Sequence, residues 1–192
     1  PVLSPETCGR AGAAPASYEH VVVVLEENRI WDQVGGVGFG DLPWLSQLAA
    51  GCSVYTGWQE TNPEQNSLTQ YIGLTSGVDN PATVDDCQPS GRCRSTDDNI
   101  FRQVRAAGGT ARTYVEGAGE PCSAKGNAAK HVPALYYQGG DDPTHCVDEV
   151  RPLTELDPDH LPTYAMIVPD LCHDGHDCGN DTVEAWLADH LG

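Results

Sequence analysis

The chain contains no apolar run approaching the ~20 residues that a membrane-spanning helix requires. It does not open on a basic stretch followed by an apolar one, so the expectation is that any secretory signal peptide has been removed. Bases are scarce: 10 Lys and Arg stand against 28 Asp and Glu, for a net charge of −18. No stripe of Lys or Arg offsets that charge, and a surface of this sign repels phosphate backbones, which excludes nucleic acid as a partner. The same charge suits divalent cations. Cys-x-x-Cys is absent, which argues against a metal site built from thiols at that spacing. Internal repeats and a recognisable interdomain linker are absent as well.

What is present is 192 residues, enough for one ordinary core, and the expectation is a single domain over residues 1–192. An apolar content of 39% with 21 Gly and 14 Pro describes a globular, loop-rich protein. The eight cysteines are Cys8, Cys52, Cys87, Cys93, Cys122, Cys146, Cys172 and Cys178. The intervals 87–93, 122–146 and 172–178 read as separate loops, which leaves Cys8 and Cys52 for each other; an even set of this size allows many pairings, so connectivity stays open. Cysteines scattered through Gly/Pro-rich loops point to disulfides and to an oxidising compartment: secreted, cell-surface or periplasmic. A Cys/His zinc module would instead require free thiols.

The stretch around which the chain is organised is HVVVVLEENRIWD, residues 20–32. Its apolar centre is short and β-branched, the pattern of a strand buried on both faces of a parallel sheet. Strands are predicted over 20–26, 111–116 and 163–168, with a further candidate over 53–58. Helices are predicted over 43–50, ending at Gly51; over 67–76, ending at Gly77; over 98–107, stopped by Gly108-Gly109; and over 182–191, with Val183, Trp186, Leu187 and Leu191 on one face. Asn62-Pro63 marks a turn, and residues 117–162 read mostly as loop, with turn chemistry at Asp141-Asp142-Pro143. Alternating strands and helices imply an α/β layered sandwich with a mainly parallel central sheet. Parallel strands would bring their C-terminal ends, with Glu27 and Asn28, Glu116, and Asp170 to Asp177, to one edge.

Local pattern gives each candidate two readings. Glu26 to Arg29 are a solvated turn, or carboxylates and an amide delivered to a site. Ser67 with Gln70 is a capping box in which Ser67 caps the helix and Gln70 reaches back; alternatively Ser67 is a nucleophile at a helix N-terminus, where free N–H groups hold phosphoryl oxygens. Cys172-His173-Asp174-Gly175-His176-Asp177-Cys178 is an acidic surface loop, or a set of metal and acid–base groups. Lys130-His131 is, on its own, a surface pair.

Five segments taken together carry a resemblance: VVVVLEENRIWDQVGG, SLTQYIGLTSG, TYVEGAGEPC, KHVPALYY and LPTYAMIVPDLCHDGHDC. In this order, from residue 20 to 187, the chain resembles the bacterial and fungal phosphoesterase family of secreted acid phosphatases and phospholipases C, which is similar in fold to the alkaline phosphatase superfamily. The resemblance implies that Glu27 and Asn28 correspond to a Glu-Asn pair whose Asn helps to hold a metal. It implies that Ser67 is a transiently phosphorylated nucleophile and itself a metal ligand. Lys130 and His131 correspond to a pair near the phosphate, and Asp174, His176 and Asp177 to the acidic and His loop near the leaving group. The chain departs from the family pattern at Thr69-Gln70 before Tyr71, where Pro-Asn is frequent, and at Val132 and Asp170, where Asn is common.

What the resemblance implies is a metal-dependent hydrolysis of phosphate esters, of acid phosphatase or phospholipase C type. Ser67, His176 and His131 are catalytic; Gln70 and Lys130 bind substrate; Glu27, Asn28, Ser67, Asp174 and Asp177 hold a divalent ion, with Zn, Ca, Mg and Fe all open. Either His176 or His131 protonates the leaving oxygen. The absence of an apolar lid leans the expectation towards soluble phosphomonoesters. Family members continue into another strand that ends in an Asp-Glu or Asp-Asp pair with a later His. The expectation is therefore a chain truncated on its C-terminal side, either a fragment or one half of a processed enzyme whose C-terminal half is a second polypeptide, or else a chain whose metal site is incomplete, with little turnover from residues 1–192 alone. The alternative is a non-catalytic phosphate-ligand or metal-binding protein on the same fold.

Overall fold

The computed structural model describes residues 16–36, 39–40, 42–60, 66–125 and 128–192. These fall into two compact units: residues 26–58 with 171–192 and the segments before residue 18, and residues 18–25 with 59–170.

The second unit is built on a four-stranded, all-parallel sheet in the order β1-β4-β2-β3, where β1 is Val21–Val24, β2 Ala111–Val115, β3 Val150–Pro152 and β4 Tyr164–Val168. β4 is central: Val21 to Val24 of β1 pair with Tyr164 to Ile167 on one side, and Ala111 to Val115 of β2 pair with Tyr164 to Val168 on the other. Residues 165–168 of β4 are all buried, as a strand covered on both faces must be. β3 closes the far edge and carries Pro152, a residue that edge strands tolerate because it cannot donate to a ladder.

The expectation of two-faced burial for the valine run is corrected. β1 is an edge strand, and Val21 and Val22 are 43% and 40% exposed. An uninterrupted apolar run has no alternation to show which strand lies at an edge; TYAMIV, which reads no differently, is the buried centre.

Three helices of this unit pack with the sheet: α2 (Ser67–Ser76), α3 (Ile100–Ala106) and α4 (Asp142–Glu149). Leu68, Tyr71 and Ile72 of α2 and Phe101 of α3 share one core with Val115, Val150, Met166 and Val168 of the strands. α2 ends at Gly77, which takes φ +73°, and α3 ends before Gly108 at φ +83°, the left-handed positions a glycine stop supplies. The stretch read as loop over 117–162 contains α4 and β3. Asp141-Asp142-Pro143 is as good a helix start as a turn, because proline's missing N–H is no loss in a first turn.

In the other unit α1 (Pro43–Gly51) packs with α5 (Asn180–Leu191). α1 runs through Gly51, which was expected to stop it, and is capped by Cys52. Val183, Trp186 and Leu187 are buried as the apolar face of α5 predicts, but Leu191 in its last turn is 40% exposed. No strand forms over 53–58, where Tyr55 and Trp58 stand 81% and 72% exposed. The Asn62-Pro63 turn and Cys8, and with it the Cys8–Cys52 pairing, lie outside the described residues.

Three disulfides close the loops that the cysteine intervals outline: Cys87–Cys93, Cys122–Cys146 and Cys172–Cys178. No cysteine among the described residues is free. No helix among them is long and apolar enough to cross a membrane.

Candidate functional site

Within the sheet unit, Ser67 is not a helix cap. Asn66 occupies the cap position with extended backbone and makes no side-chain cap bond, so Ser67 is the first helical residue and the capping box does not form. The half-buried Ser67 hydroxyl makes no hydrogen bond among the described residues. Gln70 lies one turn further along α2, half-buried on the same side of the helix.

A carboxylate that sequence reasoning missed sits at this helix end. Asp86 accepts the Leu68 N–H through one oxygen at 2.9 Å and the Lys130 ammonium through the other at 3.2 Å. The field of a helix N-terminus favours an anion at that position. The Leu68 N–H, one of those expected to hold a phosphoryl oxygen, is thus already engaged.

His131, beside Lys130, is fully buried rather than on the surface, and its ring stacks on that of Tyr71 with centroids 5.1 Å apart and planes 10° from parallel. Close by, the Tyr136 hydroxyl donates to the Cys87 carbonyl at 2.7 Å. Burial first, and the Asp86 charge second, push this phenol well above its ordinary range and keep it protonated.

At the C-terminal ends of the two central strands, Glu116 donates its N–H to the Val168 carbonyl, and its carboxylate accepts the Asp170 N–H at 2.8 Å. Carboxylate oxygens of Glu116 and Asp170 lie within 4.8 Å of one another. The convergence expected of parallel strand ends therefore holds for β2 and β4.

The other unit gathers the second group of candidates. The Glu27 N–H donates to the Asp174 carbonyl at 2.6 Å, and carboxylate oxygens of Glu27 and Asp174 lie within 4.8 Å of one another. Asp174 is 1% exposed. Hard oxygen donors at this spacing suit a divalent ion, so the pair fits such an ion.

Gly175 permits the approach. Its φ is +89°, and a Cβ there would stand 3.0 Å from the Glu27 carbonyl oxygen. The chain then turns through the Asp174 carboxylate, which accepts the His176 N–H at 2.7 Å. His176 Nδ1 faces the Asp177 carboxylate at 2.7 Å, and the Cys172–Cys178 bridge, with Cα atoms 4.6 Å apart, closes the loop. Asn28 is exposed and holds φ +58°, a left-handed conformation uncommon outside glycine.

Arg29, the last residue of the Glu26 to Arg29 stretch and one with no role in the sequence reading, ties these pieces together. Its guanidinium donates to the Asn180 side chain at 2.8 Å, to the Asn28 carbonyl at 2.9 Å and to the Cys178 carbonyl. Asn180 in turn donates to the Gln33 carbonyl at 2.6 Å. Two of the three partners, Asn180 and Cys178, lie about 150 residues from Arg29 in sequence, so no local pattern could reveal them.

Of the sequence-predicted residues, Ser67, Gln70, Lys130 and His131 belong to the sheet unit, and Glu27, Asn28, Asp174, His176 and Asp177 to the other.

The chain is similar to the phosphatidylinositol-3-phosphatase of Mycobacterium tuberculosis, with 30% identity over 189 residues that cover 95% of this chain. It spans 60% of that relative's length. No protein-family model matches the chain, and no solved structure matches it.

Proposed function

We propose that this protein is a secreted, metal-dependent phosphoester hydrolase, a single phosphoesterase domain of the alkaline-phosphatase-like type, that cleaves phosphate monoesters through Ser67. The observation that carries the reading is an unbonded serine hydroxyl on the first residue of α2, one carboxylate removed from the Lys130 ammonium. The similarity to a protein named for phosphatase activity supports it, and makes a phosphorylated inositol lipid the first substrate to test. The three disulfides are compatible with an extracellular location.

In this reading the Ser67 oxygen bonds to phosphorus as the bond to the leaving oxygen breaks, and water later hydrolyses the phosphoserine. Lys130 and the Gln70 amide steady the phosphoryl oxygens. His176, with Asp177 on Nδ1 and a side chain 28% exposed, supplies the proton to the leaving oxygen; it exchanges with solvent more readily than the fully buried His131. Glu27, Asn28, Asp174 and Asp177 would hold the divalent ion. When bound, such an ion neutralises charge on the phosphoryl group and lowers the pKa of the hydroxyl.

The test is hydrolysis of an aryl phosphate by the full chain, before and after chelation and re-addition of divalent ions. Ser67→Ala is expected to lose on the order of 10³-fold or more in rate. Stability should change by no more than ~0.5 kcal/mol, since the hydroxyl makes no bond and caps nothing. Full activity in the Ala variant would remove Ser67 as the nucleophile, and no hydrolysis by the parent chain with any divalent ion would leave a binding protein on the same fold.

A further inference from the structure

The sheet unit contains a cleft of 720 Å3 whose lining includes Asp86, Lys130, Arg94 and Lys125. The volume is that of a site for a whole small molecule, well beyond a single phosphoryl group. Its charge is out of keeping with the chain. Lys125 and Lys130 are the only lysines in a sequence of net charge −18, and both line this one cleft. Lys130 is paired with Asp86.

Arg94 and Lys125 have no carboxylate partner among the described residues; Arg94 donates only its Nε–H, to the Pro89 carbonyl at 3.1 Å. The other acid in the lining, Asp142, is bound by Arg102 and Arg105, so its charge is already compensated. The other arginines near acids use them: Arg92 pairs with Asp85, and Arg151 with Glu155. Two cations left unpaired in one cleft, in so acidic a chain, call for an anion from outside.

The Asp86 carboxylate joins this cleft to the start of α2. It accepts the Leu68 N–H through one oxygen and Lys130 through the other, so a side chain of the cleft that holds Arg94 and Lys125 also bonds the first turn of α2, one residue from Ser67.

We infer that Arg94 and Lys125 form a subsite for a second anionic phosphate group, carried by the leaving alcohol of the substrate. The inference rests on the reading of Ser67 as a phosphoester nucleophile. The group recognised is a phosphate diester or monoester on a polyol, whether in a lipid headgroup or in the free compound.

The experiment uses the full chain, Arg94→Ala and Lys125→Ala with three substrates. These are inositol 3-phosphate, which has no second anion; glycerophosphoinositol 3-phosphate, which has a diester; and the corresponding diacyl lipid in phosphatidylcholine vesicles. Each variant should lose about 10-fold in kcat/KM on the two substrates with a second anion and stay within 2-fold on inositol 3-phosphate. Equal losses on the deacylated and vesicle substrates would assign the recognition to the headgroup. A loss confined to vesicles would overturn the subsite in favour of a membrane contact, and equal losses on all three, or none, would overturn it too. If no substrate is hydrolysed, the phosphoesterase reading fails, and calorimetry with inositol 1,3-bisphosphate decides the subsite. Weaker binding by both variants upholds an anion site, and unchanged or absent binding removes it.

Discussion

Asn28 separates two roles that most positions confound. Its backbone sits at φ +58°, where a Cβ is costly, and its side chain is exposed. Glycine accepts that conformation and lacks the amide; alanine lacks the amide and carries the strain. Asn28→Gly should therefore leave the unfolding free energy within ~0.5 kcal/mol of the parent, whereas Asn28→Ala should cost about 1 kcal/mol. If the amide ligates the ion, both should lose about 10-fold or more in activity at limiting divalent ion, with partial recovery at excess. Unchanged activity in the glycine variant would show that the residue serves only the turn. At this scale the sequence offered the candidates but not their support. Ser67, Asn28 and Asp174 stand out as polar groups next to apolar elements. Asp86 and Arg29 do not, because their meaning comes from partners 18 to 151 residues away.

Among the elements, α3 and α4 are joined by charge. Asp142, whose side chain is 5% exposed, is shared by Arg102 and Arg105, and Arg105 also holds Asp141 and Glu149. Removing one member of such a buried set leaves the others uncompensated. Asp142→Ala is expected to destabilise the fold by about 3–5 kcal/mol in denaturant unfolding, without a selective effect on catalysis. A cost below ~1 kcal/mol would mean that the network is as weak as a surface pair. This pairing was illegible in the sequence because the Asp-Asp-Pro that opens α4 uses the same residues as a turn. α2 was legible to the residue, since Gly77 supplies an unambiguous stop and the preceding ten residues alternate with helical period. β3, three residues long with Arg151 at its centre, offered no periodicity to read.

Across the whole molecule, alternation of elements was enough to identify an α/β fold with a parallel sheet, because each parallel connection must cross over through a helix or a long segment. Strand order was not readable: valine and isoleucine runs look alike at an edge and at a centre, and only the ladder shows that β4 rather than β1 lies inside. The cysteine intervals that close as short loops were readable because a short interval in a loop brings two Cα atoms within bridging range. The account as a whole depends on one covalent event at Ser67. The most direct test is a rapid acid quench of the full chain with an aryl phosphate, followed by intact mass and peptide mapping. The account predicts a phosphoryl adduct on the peptide containing Ser67, chased by water in the parent and absent in Ser67→Ala. Turnover without an adduct on that peptide, or an adduct that persists in the Ala variant, would contradict it.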